Sequence, residues 1–306
     1  MSPDELTTAH RDLRDRLVNA GLFIATGGAG LYGKSSTFEA VLDAFDRTVL
    51  AVGADDGAIA LEFSPLLPQV TYDATGYLRS FPNLAGPVYS FLGGDREYAD
   101  LVRRIDDGEP YSDALELSDV ALAPACCYSV YPALSGTLQP NGTIIEIRSY
   151  CFRNEPSVDP MRLRAFRQRE HVRLGTPEQV IEWRALWLER APQIFEDVGL
   201  DAQKDVANDP FFGRAGRLMS MSQREQELKI ELLVPVFGTE HPTACSSVNY
   251  HQDHFGHLFG IQSDDGATAH SACVSFGLER CTIALFARHG TDVDRWPSAV
   301  RNRLWP

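Results

Sequence analysis

Between Phe152 and Leu174 the chain reads FRNEPSVDPMRLRAFRQREHVRL, with six arginines and three carboxylates in twenty-three residues. Side chains two apart on a strand face the same way, so Arg153 and Glu155 share a face. A proline-bounded turn follows, then the basic run Arg162-Leu163-Arg164, then a second strand-like segment ending in Glu170. An extended arm, a turn and a returning arm predict an antiparallel hairpin. Guanidinium at this density suits a triphosphate gripped between paired cations. The chain as a whole is acidic, with a formal net charge of −14. That argues against non-specific nucleic-acid binding, which needs a basic field, but leaves room for a local basic cleft.

With 306 residues, 44% of them hydrophobic, the chain has enough apolar surface for one large core or two modest ones. No run reaches the roughly 18 uncharged apolar residues that cross a membrane. The start, MSPDELTTAH, is polar and acidic, unlike a signal peptide. Cysteines 126, 127, 151, 245, 273 and 281 are few for this length and fit free thiols in a reducing cytoplasm. The Asn141-Gly-Thr sequon then has no meaning.

Local signals place the elements. Ser2-Pro3-Asp4-Glu5 is a capping box that starts an N-terminal helix within residues 1–20. A helix is expected at 36–45, strands at 48–54 and 58–63, a helix at 98–105 and a strand at 142–148. Thr176-Pro177-Glu178-Gln179 opens a helix over 176–200 that should bend or stop near Pro192. Residues 227–237 alternate and then turn apolar, as a strand entering a core does. Segments 248–257 and 272–286 close the fold. No repeat or linker interrupts the chain, which reads as a single α+β domain over 1–306 with a largely antiparallel sheet.

Gly28 to Ser35, GAGLYGKS, matches the phosphate-loop pattern letter for letter. A phosphate-loop nucleoside triphosphatase using Lys34 is one reading. A glycine-rich turn that fixes a helix start is the other, since the preceding apolar run is short and regular strand–helix alternation is missing. Three further segments carry chemistry. Glu227, Lys229 and Glu231 project from one strand face, an arrangement costly to bury unless a ligand or metal completes it. Phe276-Gly277-Leu278-Glu279-Arg280 sets an arginine in the first turn of a helix. His251, His254 and His257 spell H-x-x-H-x-x-H, a candidate metal site whose spacing suits a strand face poorly.

FRNEP…RLRAFRQREHV followed by FGLER resembles motifs 2 and 3 of class II aminoacyl-tRNA synthetases, the seryl type most closely. More narrowly, LYGKSSTFE, ACCYSVYP, DPFFGRAG, ELKIELLVP, NYHQDHFG and ACVSFGLER look like the amino acid:carrier-protein ligases, truncated relatives of the zinc-dependent seryl-tRNA synthetases of methanogens. The likeness spans roughly residues 20 to 290. It implies an antiparallel sheet flanked by helices and a homodimer. It also implies Zn²⁺ held by a cysteine of ACCYSVYP (Cys127, or its neighbour Cys126), Glu170 and Cys273, with the fourth position open to the substrate amine. For ATP and its Mg²⁺ it implies Arg153 on the α-phosphate, Glu155 on the adenine amino group, Arg162 and Leu163 near the outer phosphates and base, Phe166 stacked on adenine, Lys229 in contact with ATP, and Arg280 on the γ-phosphate. The resemblance further implies Arg153 and Arg280 as the catalytic pair, with Ala244, Cys245, Ser246 and Ser247 lining the amino-acid site beside Glu170. The implied reaction activates a small amino acid, glycine or alanine favoured, and passes it to the phosphopantetheine thiol of a carrier protein. About twenty residues precede the first matched motif where the synthetases carry a long arm, so tRNA is not expected as a partner. A non-catalytic synthetase paralogue is the bland alternative. Arg184 and Arg190, on the 176–200 helix with Trp183 and Trp187, are candidates for docking the carrier, with core packing the plainer role of the tryptophans.

Overall fold

The arginine-rich hairpin forms the middle of a sheet. A computed structural model describes residues 1–207 and 226–306. In it β1 (Ile59–Leu61), β2 (Thr143–Phe152), β3 (Ala165–Gly175), β4 (Gln203–Val206), β5 (Lys229–Val234), β6 (Thr243–Gln252) and β7 (His270–Gly277) make a seven-stranded sheet. Their order is β4-β5-β6-β7-β3-β2-β1. Every neighbouring pair is antiparallel except β1 with β2, which is parallel. The α+β class with an antiparallel sheet and flanking helices is therefore as the sequence implied.

One face of the sheet is covered by α1 (Pro3–Asn19), α2 (Ser36–Gly53), α3 (Pro177–Asp197) and α4 (Leu278–His289), which share its largest hydrophobic core. The capping boxes at Ser2 and Thr176 both form as read. The strand expected at 48–54 does not form; those residues are the last turns of α2. Phe38, Val41, Leu42, Phe45 and Val49 recur at helical spacing and are all fully buried, so packing overrides the β-preference of Val and Thr. Gly53 ends that helix against the His171 ring, and a Cβ there would lie 2.9 Å from it. The helix does not stop at Pro192, since α3 runs on to Asp197.

Trp183 and Trp187 are buried in this core. Arg190 pairs with Asp56 at 2.6 Å, and Arg184 donates to the Glu227 carbonyl at 2.6 Å. The two arginines expected to meet a carrier are thus tied into the protein's own structure. All six cysteines are free and buried. No helix among the described residues is long and apolar enough to cross a membrane.

Candidate active site

Strand alternation decides what each side of the sheet can do. In β7, Ala272, Val274 and Phe276 enter the helix-side core, while Cys273 and Ser275 line a cavity of about 910 Å³ on the opposite face. In β3, Gln168 and Glu170 line that cavity, whereas Arg167, Arg169 and His171 point to the helices. In β5, Lys229, Glu231 and Leu233 face the cavity, and Leu232 and Val234 face the core. Register aligns the rows: Glu170 lies opposite Ser275, Cys273 opposite Asn249, and Ser247 opposite Glu231.

The arginine-rich hairpin is thus split between two jobs. Arg153 and Arg162 line the cavity with Arg280. Arg167 instead grips Glu39 and Glu279, and Arg169 grips Asp46 at 2.7 Å. These ion pairs bind the hairpin to α2 and α4 and cannot also serve a ligand in the cavity.

Arg153 donates to the Pro124 carbonyl at 3.2 Å and stacks over the Phe166 ring, 5.4 Å from its centroid. Glu155 is hydrogen-bonded by Arg162. Arg280 donates to the carbonyls of Met161 and Ala244, at 2.8 and 3.0 Å. Burial, and then repulsion from Arg153, lower the pKa of the Arg280 guanidinium. Three cations converging on one pocket are a site built for an anion of high charge. Lys229 pairs with Glu231 at 3.1 Å on the same wall.

Not every residue expected in the site reaches the cavity lining. Leu163 is buried in the helix-side core, and Phe166 lies beneath Arg153. Ala244 and Ser247 line the cavity, but Cys245 and Ser246 do not. Leu232 pairs with Ser246 and Leu233 with Ala244, so Cys245 is an extra residue in a β-bulge. The bulge turns Cys245 into the core and leaves Ser246 beside Phe276. DPFFGRAG, residues 209–216, lies outside the described residues.

The phosphate-loop match is overturned by its geometry. Phe23–Ala25 and Tyr32–Lys34 pair antiparallel, so the glycines form a hairpin turn. Lys34 donates to Glu279 at 2.8 Å, in a pair that is nearly buried. Ser35 caps α2 through the Phe38 N–H. The segment is the glycine-rich turn that fixes a helix start.

At the inner end of the cavity, one ligand atom each from Cys127, Glu170 and Cys273 lies within 4.8 Å of the other two. Among the described residues no other group of three such side chains is placed to hold a metal. His251, His254 and His257 do not converge, and His257 is exposed. Cys127 sits in a 3-10 turn over Cys126–Ser129 and gives its backbone N–H to Glu170 at 2.8 Å. Cys126 turns away, its sulfur bonding to the Ser149 and Gln168 carbonyls at 3.4 Å. Of the two neighbouring cysteines, Cys127 is the one that faces Glu170 and Cys273.

The electrostatics of the three groups point the same way. Burial, then the negative charge of Cys273, push the Glu170 carboxyl up to about 8. Cys273 is held below the usual thiol range, first by the Cys127 thiol that donates to it and then by His251. Two acids and an anion-prone thiol packed this closely repel one another unless a cation sits among them. Two sulfurs and one carboxylate oxygen form a donor set that Zn²⁺ accepts with a fourth position open. His251, singled out in the sequence only as one of three spaced histidines, and Asn249, passed over there, both lie beside the Cys273 sulfur, at 3.7 and 3.4 Å. Asn249 sits opposite Cys273, and His251, two positions on in β6, is the extra residue at a register shift.

Comparison with known proteins agrees with the fold. Residues 143–289 match the model of the tRNA synthetase class II core domain (G, H, P, S and T). The chain is similar to amino acid–[acyl-carrier-protein] ligase 1 of Bradyrhizobium diazoefficiens, 42% identical over 92% of this chain and 87% of the relative. Ligase 2 of the same organism is 40% identical over 99% of this chain and 91% of its own length. A type-2 serine–tRNA ligase of Methanopyrus kandleri is 27% identical over 60% of this chain and 37% of the relative. Among solved structures, M. kandleri SerRS in complex with A. aeolicus tRNASec superposes with a TM-score of 0.80 at 22% identity, over 96% of this chain and 60% of that one. That likeness establishes the fold alone.

Proposed function

The chain belongs to the amino acid–[acyl-carrier-protein] ligases, and from that premise we propose that it activates a small amino acid, glycine or alanine, with ATP and passes it to the phosphopantetheine thiol of a carrier protein. The observation that carries this reading is the meeting of Arg153, Arg280 and the Cys127–Glu170–Cys273 cluster in one cavity. The amino acid's carboxylate attacks the α-phosphorus of ATP, forming the mixed anhydride and releasing pyrophosphate. No protein nucleophile takes part, and the residues act by position and charge. Arg153 neutralises the α-phosphate and Arg280 the outer phosphates. Glu155 and Arg162 hold the base end, Lys229 contacts the nucleotide, and Glu231 is placed to accept the Mg²⁺ that accompanies it.

Cys127, Glu170 and Cys273 would hold zinc, which would supply a Lewis acid for a neutral amine. Ala244 and Ser247 line the same cavity and would bound the amino-acid side chain. The carrier thiol then attacks the anhydride carbonyl, a thioester forms and AMP leaves. A homodimer in the cytoplasm is part of the same proposal.

The test is amino-acid-dependent pyrophosphate–ATP exchange with glycine, alanine and glycolate, followed by transfer to holo-carrier protein or bulk tRNA. Exchange with an amino acid but not with glycolate, and transfer to the carrier alone, is the expected result. Exchange that fails with every amino acid at saturating zinc would leave only a non-catalytic paralogue.

A further inference from the structure

The imidazole of His251 is held by groups that serve no other part of the proposed reaction. Its Nδ1 lies 3.2 Å from the hydroxyl of Ser271 and 3.4 Å from that of Tyr131. Ser271 and Tyr131 are both fully buried. Phe255 meets the ring edge-on with centroids 5.0 Å apart. On its far side, Nε2 lies 3.7 Å from the Cys273 sulfur.

With Nδ1 accepting from these two hydroxyls, the neutral ring carries its proton on Nε2. The opposite tautomer would aim a nitrogen lone pair at an electron-rich sulfur. We infer that His251 is a positioning residue for the metal site, donating an Nε2–H···S hydrogen bond to Cys273, in a tautomer fixed by Ser271 and Tyr131. This rests on the zinc reading above.

The hydrogen bond has a definite purpose there. Two thiolates and a carboxylate around one divalent ion leave an excess negative charge in a buried place. Asn249 donates to the same sulfur at 3.4 Å, so two N–H groups from neighbouring positions of β6 drain that charge. Draining it leaves the metal the stronger acid toward an incoming amine. It also fixes the direction from which Cys273 binds.

The test uses the full chain with Co²⁺ exchanged for zinc, and needs no substrate. Removing an N–H donor from a coordinated sulfur raises the energy of its lone pair. His251→Leu should therefore move the sulfur-to-cobalt charge-transfer band to longer wavelength and speed metal loss to a chelator roughly 10–100-fold, as outer-shell losses do. His251→Gln, whose amide can still donate, should recover most of both. Ser271→Ala keeps the ring and frees the tautomer, so it should shift the band the same way by less; it carries the test if the leucine variant does not fold. An unchanged band and release rate in these variants would overturn the inference while leaving the zinc site standing. Failure of the unaltered protein to take up Co²⁺ with a thiolate band would overturn both.

Discussion

The two faces of strand β3 carry different kinds of residue and do different work. Toward the cavity, Gln168 and Glu170 belong to a concave surface shared with Arg153, Arg280 and Cys273. Toward the helices, Arg167 and Arg169 are answered by Glu39, Asp46 and Glu279, and the buried His171 ring packs against Trp187. Charge on the first face borders an open cavity. Charge on the second is already met by the protein. The lesson is that a dense cationic stretch is not by itself a binding site; the periodicity of the strand deals its charges alternately to function and to architecture.

Substitutions on each face should therefore fail in different ways. Cys273→Ala, on the cavity side, should lower pyrophosphate exchange roughly a thousandfold, because a metal's polarisation is worth several kcal/mol. Its urea midpoint without added metal should stay close to that of the unaltered protein. Glu279→Ala, at the helix-side layer, strips Lys34 of its partner and Arg167 of one of its two, and these side chains are only 10% and 9% exposed. Stability should fall by about 3–5 kcal/mol, as when one member of a buried pair is removed. Equal loss of activity and stability in both variants would erase the distinction between the faces.

A titration sharpens it further. Burial, then the charge of Arg169, depress the His171 pKa from 6.5 to about 4. A group depressed in the folded state contributes stability that is complete above its unfolded pKa and lost as pH falls through the folded one. Between pH 6.5 and 4 this one ring should cost the fold up to about 3 kcal/mol. His171→Leu should flatten that part of the acid unfolding curve and leave activity near neutral pH nearly intact. The smallest effect belongs to Arg162→Ala. Its pair with Glu155 is half exposed, so stability should change by less than about 1 kcal/mol. The Michaelis constant for ATP should still rise severalfold.

Much of this was legible in the chain. The hairpin, both capping boxes and the sheet's antiparallel character follow from short-range rules that survive folding. So did the Cys127, Glu170 and Cys273 set, through motif resemblance rather than spacing, since 146 residues separate the first cysteine from the last. What could not be read was the identity of distant partners. Nothing near Arg167 and Arg169 announces that Glu39, Asp46 and Glu279 will claim them. Lys34 misled for the same reason, as its letters fit a phosphate loop while its ammonium goes to Glu279. Cys245 and Ser246 were misplaced because a bulge breaks strict alternation, and a bulge leaves little trace in sequence. The 48–54 segment carries strand-forming residues, and only the packing of Phe45 and Val49 under the sheet makes it helix.

The central claim is that one buried thiol–carboxylate–thiol set holds zinc, and that Cys127 rather than Cys126 belongs to it. Metal content of the purified chain, measured by mass spectrometry beside Cys127→Ser and Cys126→Ser, tests it most directly. The account predicts about one zinc per chain in the unaltered protein and in Cys126→Ser, with almost none in Cys127→Ser, as a closed set of three protein ligands requires. Equal zinc in all three proteins, or none in any, would contradict it.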